Sequence, residues 1–376
     1  MRVLVLNSGS SSLKYRLFDL LDAHAEVLAS GAVERIGEAG GDAADHEEAL
    51  RGVFADLPDS GLGGIGHRVV HGGETFVEPT LVDESVMDGI RELSTLAPLH
   101  NPANLRGIEV AAELRPDVPQ VAVFDTAFHR TLPPAAYRYA VPESVYADHG
   151  VRRYGFHGTS HAHVVRRAAA ALGRAPEDCD LVTLHLGNGS SAAAIRDGRS
   201  VDTSMGLSPL EGLVMGTRSG DLDPAVVFHL IREAGMTPND VETLLNRRSG
   251  LVGLAGENDL RRVEERAARG DDAAVLALDV MVHRLRKYVG AYVAILPRVD
   301  ALVFTGGIGQ HSSLVRARVC AGLDRLGIAV DPDRNAAATG RETADIATPD
   351  APTRVLVVPT DEELEIAQQT AARITA

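Results

Sequence analysis

The sequence predicts an α/β protein built from two related halves, and three observations lead to this fold class. An apolar strand, a turn of Gly and Ser and a second strand open the chain around NSGSSSLK. The same order returns around HLGNGSS, so that Leu4 to Tyr15 overlay Leu184 to Ile195. Further apolar strands are followed by glycine turns and helices. The repeat suggests a duplicated α/β unit with a nucleotide bound between the halves.

Composition limits the class of protein. The chain has 376 residues, 45% hydrophobic and 24% charged, which suits a globular protein with two cores. A net charge of −15 argues against nucleic-acid and anionic-membrane partners. No apolar run approaches the ~18 residues of a membrane span, and too few apolar residues precede Asn7 for a signal peptide. Cys179 and Cys320 lie too far apart in sequence to indicate a disulfide framework or zinc site, so we expect a reducing cytoplasm.

The opening stretch predicts a phosphate-binding turn. Val3 and Val5 belong to a buried strand, and the Gly/Ser turn that follows offers backbone N–H groups and hydroxyls beside Lys14. The pattern is neither a Walker motif nor a GxGxxG fingerprint. The structural alternative is a serine-rich hairpin turn.

Two further strands predict a site for a small carboxylate. Arg68 and Val70 alternate in GHRVVHGG and so share one face of a strand, which suits a ligand with a carboxylate and a short alkyl group. The alternative is an arginine in a salt bridge on an edge strand. Asp125 follows a buried strand, where α/β folds place ligand-handling groups, although it could equally cap the next turn.

His157 is the strongest histidine candidate. Thr159 or Ser160 is a plausible N-cap for the following Ala-rich helix, which leaves His157 in the turn before it, well placed to meet an anion. A zinc site with His161 and His163 is disfavoured because no Glu or Cys lies nearby.

The second half of the chain adds anion-binding and acidic candidates. Arg218 lies in a long glycine-rich loop, which predicts flexible backbone and nothing apolar to pack against, and we favour a phosphate-facing role over a structural one. TGGIG follows a buried strand and precedes a helix, as in nucleotide sites. Asp259 and Arg261 lie near a helix start. Residues 361–363 are acidic in a first helical turn, which indicates either a magnesium role or stabilisation of the helix dipole.

Together these motifs resemble the acetate kinase family, within the sugar kinase, Hsp70 and actin superfamily. The resemblance runs along essentially the whole chain, through NSGSSSLK, GHRVVHGG, PLHNP, FDTAFH, RYGFHGTSH, HLGNGSS, DTSMG, GTRSGDLDP, FTGGIG and PTDEELEIA. It implies duplicated ribonuclease-H-like α/β domains of the actin, Hsp70 and hexokinase type, with an active-site cleft between them. We expect an N-terminal domain over 1–125 completed by 363–376, and a nucleotide-binding domain over 126–362. Hinge closure over ATP would exclude water.

The resemblance also implies an activity and its partners. The reaction would be reversible, Mg²⁺-dependent transfer of the ATP γ-phosphoryl group to acetate, giving acetyl phosphate and ADP, with Mn²⁺ as a substitute ion and a homodimer as the assembly. A propionate or butyrate kinase is the nearest alternative, because one methylene in an apolar pocket is worth only ~1–3 kcal/mol. An actin-like protein that hydrolyses ATP is the alternative of another class, and it would need neither Arg68 nor an apolar pocket beside it.

Residue roles follow from the resemblance position by position. Asp125, His157 and Arg218 take the catalytic positions. Arg68 would bind the substrate carboxylate. The implied acetate methyl pocket consists of Val70, Leu99 and Pro209. The implied metal ligands are Asn7 and Glu362. The implied nucleotide contacts are Lys14, His185, Leu186, Gly187, Asn188, Gly189, Asp259, Leu260, Arg261, Gly307, Ile308, Gly309, Gln310 and His311.

Chemistry qualifies one of these roles, and the sequence departs from the family at two places. A carboxylate acceptor is already ionised at pH 7, so we expect Asp125 to orient a metal-bound water or Arg218 and not to remove a proton. Asp361 stands where the family usually has Asn, which adds charge beside the implied metal. Gln310 and His311 stand where the family typically has Glu-Asn, at the edge of the nucleotide site.

Overall fold

The structure is a computed structural model that describes residues 1–9, 11–21, 24–57 and 61–376. The chain divides into two compact units. The first unit comprises Met1–Arg130, Phe156–Ala162 and Asp361–Ala376, and the second comprises Thr131–Gly155 and His163–Thr360. The domain boundaries expected from sequence, 1–125 with 363–376 and 126–362, stay a prediction. Ser10, part of the predicted phosphate turn, lies outside the described residues.

Each sheet begins with three strands that are consecutive in the sequence, and helices and further strands follow. The strands are β1 Arg2–Ser8, β2 Ser12–Leu21, β3 His24–Glu34, β4 Leu62–Val69, β5 Thr80–Leu81, β6 Gln120–Phe124, β7 Leu181–Leu186, β8 Ser190–Arg196, β9 Arg199–Thr203, β10 Ala301–Thr305, β11 Ala344–Asp345 and β12 Arg354–Val357. The helices are α1 His46–Asp56, α2 Glu84–Glu92, α3 Asn101–Leu114, α4 Pro134–Tyr137, α5 Glu143–His149, α6 Gly158–Ala171, α7 Ala225–Arg232, α8 Pro238–Arg247, α9 Gly250–Ala255, α10 Leu260–Ala268, α11 Asp272–Ile295, α12 Gly306–His311, α13 Ser313–Cys320, α14 Pro332–Ala337 and α15 Glu362–Thr375.

Each unit contains one six-stranded sheet, and the two sheets have the same topology. The first has the order β3-β2-β1-β4-β6-β5 and the second β9-β8-β7-β10-β12-β11. In both, three antiparallel strands are followed by two parallel strands and a short antiparallel edge strand. The duplicated α/β fold predicted from the sequence is therefore confirmed.

The repeat holds for the first strand of each hairpin, but the second strands are shifted. Leu4 pairs with Leu17 across β1 and β2, whereas Leu184 pairs with Ala192 across β7 and β8. The offset of 180 residues would instead place residue 197 opposite Leu184. The first hairpin is the longer one, because its pairing extends to Ser8 and its turn contains more residues.

Both faces of the first sheet are covered by helices. Leu6 and Val110 share a core beneath α1 and α3, while Val5 and Ile366 pack on the opposite face beneath α15. Burying each such aliphatic side chain contributes roughly 1.5–3 kcal/mol. These cores fix the sheet edge at which β1, β4 and β6 end. Within the described ranges, no helix is long and apolar enough to cross a membrane.

Candidate active site

Three predicted site residues lie where parallel strands of the first unit end. Asn7 is near the carboxyl end of β1, Arg68 is near the end of β4, and Asp125 follows β6 directly. Successive side chains along a strand point to opposite faces of the sheet. The registers of these strands therefore place Asn7, Arg68 and Asp125 on the same face, the one that α15 covers. Lys14 is opposite Asn7 on β2. The first residue of α15, Glu362, belongs to the same group.

Arg68 and Asp125 form a two-pronged ion pair. The Nε and Nη2 groups of Arg68 donate to the two carboxylate oxygens of Asp125 at 3.0 and 2.6 Å. Asp125 is buried, while the Arg68 side chain is 21% exposed. Burial opposes the charge of Arg68, but the nearby carboxylates outweigh it and raise its pKa, so Arg68 stays a cation. Burial also raises the pKa of the Asp125 carboxyl, against the positive charges of Arg68 and His100.

The start of α15 brings two acidic side chains to this edge. The Glu362 carboxylate accepts a hydrogen bond from the Thr159 hydroxyl at 3.2 Å and lies 3.9 Å from Nη2 of Arg68. Asp361 caps the helix by accepting from the Leu364 N–H and pairs with Arg16 at 3.0 Å. Arg16 and the helix N-terminus thus offset the extra negative charge that distinguishes Asp361 from the family's asparagine.

His157 occupies a strained turn directly before α6. Its φ is +58°, in the left-handed region that L-residues seldom adopt. The helix begins at Gly158, so the expectation that Thr159 or Ser160 would be the N-cap is wrong. The Gly158 N–H donates to the Asp125 carbonyl at 2.9 Å, and a Cβ on Gly158 would lie only 2.2 Å from that oxygen. This close approach requires glycine, and the helix starts two to three residues earlier than an N-cap at Thr159 or Ser160 would place it.

Sequence reasoning missed the residues that surround this turn. The buried His129 ring bonds through Nε2 to the Phe156 carbonyl at 3.1 Å, and its ring lies 5.6 Å from that of His161. Phe156 is buried and packs edge-on against His71. The available signal was the short FDTAFH motif, which places His129 four residues after Asp125.

The residues assigned to the acetate methyl group differ in burial. Val70 is half-buried and lies one residue beyond the end of β4, so strand alternation does not itself set its direction. Leu99 is 45% exposed in the turn before α3. Pro209 belongs to the second unit, where its carbonyl accepts from Nη1 of Arg218 at 2.8 Å.

A cavity of about 510 Å³ in the second unit brings together all three predicted nucleotide-binding stretches. Its size is that of an ordinary small-molecule site. The predicted residues that line it are Gly187, Asn188, Asp259, Leu260, Arg261, Gly307, Ile308 and His311. The predicted residues outside its lining are His185, Leu186, Gly189, Gly309, Gln310 and Lys14, the last of which belongs to β2 in the first unit. Sequence reasoning missed three lining residues, Asn258, Glu264 and Ser312.

Glycines shape the walls of this cavity. A Cβ on Gly216 would lie 1.9 Å from the Asn188 amide oxygen, and Gly216 donates its N–H to the Asn188 carbonyl at 3.0 Å. Gly306 has φ +73°, and a Cβ there would lie 2.5 Å from the Leu186 carbonyl. Gly307, by contrast, faces open space. The close contacts bring the β7–β8 turn against its neighbours and leave room for a flat ligand beside Gly307.

Charged groups at the cavity are already paired with protein atoms. Asp259 caps α10 and forms an ion pair with Arg261, which lowers the pKa of Asp259 to about 2. Glu264 accepts a hydrogen bond from the Ser312 hydroxyl at 2.5 Å, and Ser312 also caps α13. Nδ1 of His311 lies 2.9 Å from the Thr339 carbonyl oxygen. The sequence signal for the cap of α13 was Ser312 itself, a serine three residues before Val315.

The loop that carries Arg218 is well held, which corrects the expectation of flexible backbone. Its backbone is tied to α8 and the start of α9 by the Ser219 N–H to Leu245 carbonyl bond and by the Ser249 N–H to Thr217 carbonyl bond. Nη1 of Arg218 also donates a hydrogen bond to the Met215 sulfur at 3.6 Å, so the guanidinium contacts this side chain. Arg218 therefore has a fixed position within the second unit.

These features define the class of protein as a duplicated ribonuclease-H-like phosphotransferase, with a carboxylate-anchored arginine in one unit and a ligand-sized cavity in the other. The family model described as the acetokinase family matches residues 2–368. The chain belongs to the acetokinase family. This confirms the predicted family and, at the level of the family, the predicted kinase acting on acetate.

Individual relatives agree in sequence and structure. The acetate kinase of Streptomyces avermitilis is 56% identical, with 99% of this chain and 97% of that protein covered. The crystal structure of Porphyromonas gingivalis acetate kinase has a TM-score of 0.93 at 41% identity, with both chains fully covered. A propionate kinase from Francisella tularensis has a TM-score of 0.92 at 38% identity, with 99% of each chain covered.

Proposed function

We propose that this chain catalyses the reversible, Mg²⁺-dependent transfer of the ATP γ-phosphoryl group to acetate, giving acetyl phosphate and ADP. The observation that carries the proposal is the cluster of Arg68, Asp125 and Glu362 at the strand ends of the first unit. A fixed cation beside oxygen ligands is what a small carboxylate and a phosphate need. The family membership supports the same reaction.

Arg68 would bind the acceptor through the side of its guanidinium that Asp125 leaves open. Asp125 engages Nε and Nη2, so the acetate carboxylate would bind at the edge formed by Nη1 and Nη2. The methyl group would then contact Val70, Leu99 and Pro209. An acceptor held in this way arrives ionised and correctly turned, so positioning lowers the barrier without proton removal.

The transfer itself needs charge stabilisation more than acid or base chemistry. An acetate oxygen forms a bond to the γ-phosphorus while the bond to the β,γ-bridging oxygen breaks, and ADP leaves with that electron pair. His157 and Arg218 would offset the charge on the equatorial oxygens. Asp125 would hold Arg68 in place, and the nucleotide would occupy the cavity beside Asn188 and Gly307, with Lys14 contacting its phosphates.

The residues proposed for the metal fit Mg²⁺ chemically. Asn7 and Glu362 offer an amide and a carboxylate oxygen, and Mg²⁺ binds through one or two such ligands while water and substrate phosphates complete its shell. No group of three or more His, Cys, Asp or Glu suited to a metal occurs among the described residues, so a dedicated protein cage is not part of the proposal. Bound there, Mg²⁺ would neutralise phosphate charge, and Mn²⁺ could replace it.

Propionate is the second candidate acceptor. The similarity to the Francisella tularensis propionate kinase structure favours testing it. One methylene in an apolar pocket is worth only ~1–3 kcal/mol, so the proposed acetate site would discriminate only weakly against propionate. Steady-state kinetics with acetate, propionate and butyrate would rank the three acceptors by kcat/KM.

We also propose a homodimer, as the family resemblance implies. Helix α7 has the apolar sequence AVVFHLIR, yet none of its residues is buried, and Phe228 is 55% exposed. Exposed apolar helices of this kind mark interaction surfaces. Phe228→Ser should then yield monomers in analytical ultracentrifugation, whereas an unchanged sedimentation coefficient would place any dimer contact elsewhere. The buried free thiols Cys179 and Cys320 support a reducing compartment such as the cytoplasm.

The activity is tested with ATP, Mg²⁺, acetate and hydroxylamine. Acetyl phosphate reacts with hydroxylamine to give acetohydroxamate, which is measured by its ferric complex. Formation that depends on both ATP and acetate would support the proposal. Hydrolysis of ATP that does not depend on acetate, without hydroxamate, would support the actin-like alternative instead.

A further inference from the structure

Two buried asparagines on one face of α3 have no role in the proposed reaction. Asn101 and Asn104 are three residues apart and both are buried. Buried amides are retained only where hydrogen bonds satisfy them, so their partners indicate what the helix holds. Both side chains bond to backbone groups outside α3.

Asn104 bridges the ends of two strands. Its Nδ2 donates to the Ser8 carbonyl at 2.6 Å, and its Oδ1 accepts from the Val70 N–H at 3.1 Å. Ser8 directly follows Asn7, and Val70 comes two residues after Arg68. Asn101 holds the residue after Val70 in the same way. Its Oδ1 accepts from the His71 N–H at 3.1 Å, and its Nδ2 donates to the His71 carbonyl at 3.0 Å.

The bridge lies where the sheet itself stops connecting these strands. The parallel register between β1 and β4 ends at the pair Leu6 and His67, although both strands continue beyond it. Beyond that pair, a side-chain amide takes over the carbonyl-to-N–H connection that a ladder would make. Asn7 and Arg68 are located in this separated segment, so the length of one amide sets the spacing between the strands that carry them.

Gly107 shows that α3 must come this close. It lies one further turn along the same face, and a Cβ there would be 2.2 Å from the Ser8 hydroxyl oxygen. A glycine at this point lets the helix approach the end of β1 closely enough for Asn104 to reach the Ser8 carbonyl.

We propose that Asn104 is a positioning residue that fixes the end of β1 relative to the segment after β4. This bridge keeps constant the distance between Asn7, on the metal side of the proposed site, and Arg68, on its acceptor side. This inference rests on the proposed function, since the roles of Asn7 and Arg68 belong to that proposal.

Two variants separate the halves of the bridge. Asn104→Leu removes both hydrogen bonds at similar volume, and we expect kcat to fall at least tenfold, with increases in the acetate KM and in the Mg²⁺ concentration for half-maximal rate. Asn104→Asp keeps an acceptor for the Val70 N–H but loses the donor to the Ser8 carbonyl. It should raise the Mg²⁺ requirement at least fivefold and the acetate KM less than twofold.

Gln120→Leu is the matched control. It also removes a buried side-chain amide of the first unit. Gln120 is the first residue of β6, at the end of that strand away from Asp125, and its Oε1 lies 2.6 Å from Nε2 of His67. We expect it to lower the melting temperature while leaving the acetate KM and the Mg²⁺ requirement unchanged. If Asn104→Leu and Gln120→Leu lose activity only in proportion to stability, with unchanged acetate and Mg²⁺ dependence, the positioning role is overturned.

A measurement on the unaltered protein keeps the inference testable even if the variants do not fold. The Val70 N–H should exchange with deuterium at least a hundredfold more slowly than an exposed amide, because Asn104 holds it. Exchange at the exposed rate would overturn the bridge. Absence of hydroxamate formation by the wild-type protein would instead reject the proposed function, while the exchange result would still decide the bridge.

Discussion

Replacing Asp125 with asparagine should abolish most turnover without weakening acetate binding. The carboxylate accepts two charge-assisted hydrogen bonds from Arg68, at 3.0 and 2.6 Å. Asparagine can still accept one of these hydrogen bonds through its amide oxygen. Its N–H₂ group then faces the second N–H of the guanidinium, so that hydrogen bond is lost. Arg68 is then free to rotate toward Glu362, whose carboxylate lies 3.9 Å away.

The size of the effect follows from this geometry. Removing one partner of a fully buried ion pair costs about 3–5 kcal/mol. Because Arg68 is 21% exposed and Glu362 offers partial compensation, we expect a loss of about 2 kcal/mol in the free energy of unfolding. A displacement of the acceptor by about 1 Å can reduce the rate roughly 100-fold, so kcat should fall by about that factor. The acetate KM should not rise, since the acetate carboxylate is proposed to bind the Nη1–Nη2 edge of Arg68 and not the Nε–Nη2 edge that Asp125 engages.

The assay is hydroxamate formation at saturating ATP and Mg²⁺ over a range of acetate concentrations, with melting temperatures measured in parallel. Asp83→Asn is the control, because Asp83 caps α2 in the same unit and asparagine also caps helices well. A near-normal kcat in Asp125→Asn would refute the proposal that Asp125 orients Arg68. A tenfold rise in acetate KM with kcat unchanged would refute it too, since Asp125 would then serve binding alone.

Three further predictions concern pH, the His157 turn and the cavity. Burial lowers the pKa of His67 to about 4 from 6.5, so the unfolded chain binds more protons between these values. The contribution of His67 to the free energy of unfolding should therefore decrease by roughly 3 kcal/mol as pH falls from 6.5 to 4, and His67→Phe should remove that part of the decline in urea titrations. The side chain of His129→Asn is too short to reach the Phe156 carbonyl, so this variant should lower kcat about tenfold. The side chain of His129→Gln can reach it, so its kcat should stay within threefold of the wild-type value. Equal losses of kcat in the two variants would show that the hydrogen bond to Phe156 does not position the His157 turn. Gly216→Ala forces a Cβ to within 1.9 Å of the Asn188 amide oxygen and should raise the ATP KM at least tenfold with the acetate KM unchanged, so an unaffected ATP KM would exclude Asn188 from the nucleotide site.

The fold was largely predictable because its signals are local and repeated. Buried strands such as β1 and β7 read as apolar runs, and the Gly/Ser turns that follow them mark the hairpins in both halves. The register of the hairpins was not predictable, because it depends on the number of turn residues between Ser8 and Leu13 and not on composition. The shift of the second strands by five residues is therefore a property of the folded turn.

The sequence identified charged residues at strand ends that the structure brings together, but it gave no signal for the groups that hold them. Arg68 and Asp125 were identifiable because a charged group at the end of an apolar strand is unusual. Their pairing needed the register of β4 with β6, which the sequence does not specify. His129 and Asn104 were missed because an isolated polar residue in a helical segment carries no signal until the fold shows which backbone group it meets.

Asp125 connects Arg68 and the His157 turn, two parts of the proposed site, through different atoms. Its carboxylate holds Arg68, and its carbonyl accepts the Gly158 N–H that fixes the turn of His157. A side-chain substitution therefore disturbs the arginine alone, while Gly158→Ala would push a Cβ to within 2.2 Å of the carbonyl and displace the histidine turn. Asp125→Asn should thus leave the chemical environment of the His157 ring unchanged in NMR spectra, and Gly158→Ala should change it. If Asp125→Asn shifts the NMR signals of the His157 ring as strongly as Gly158→Ala does, the Asp125 carboxylate couples Arg68 to the His157 turn, and the carboxylate and the carbonyl do not act separately.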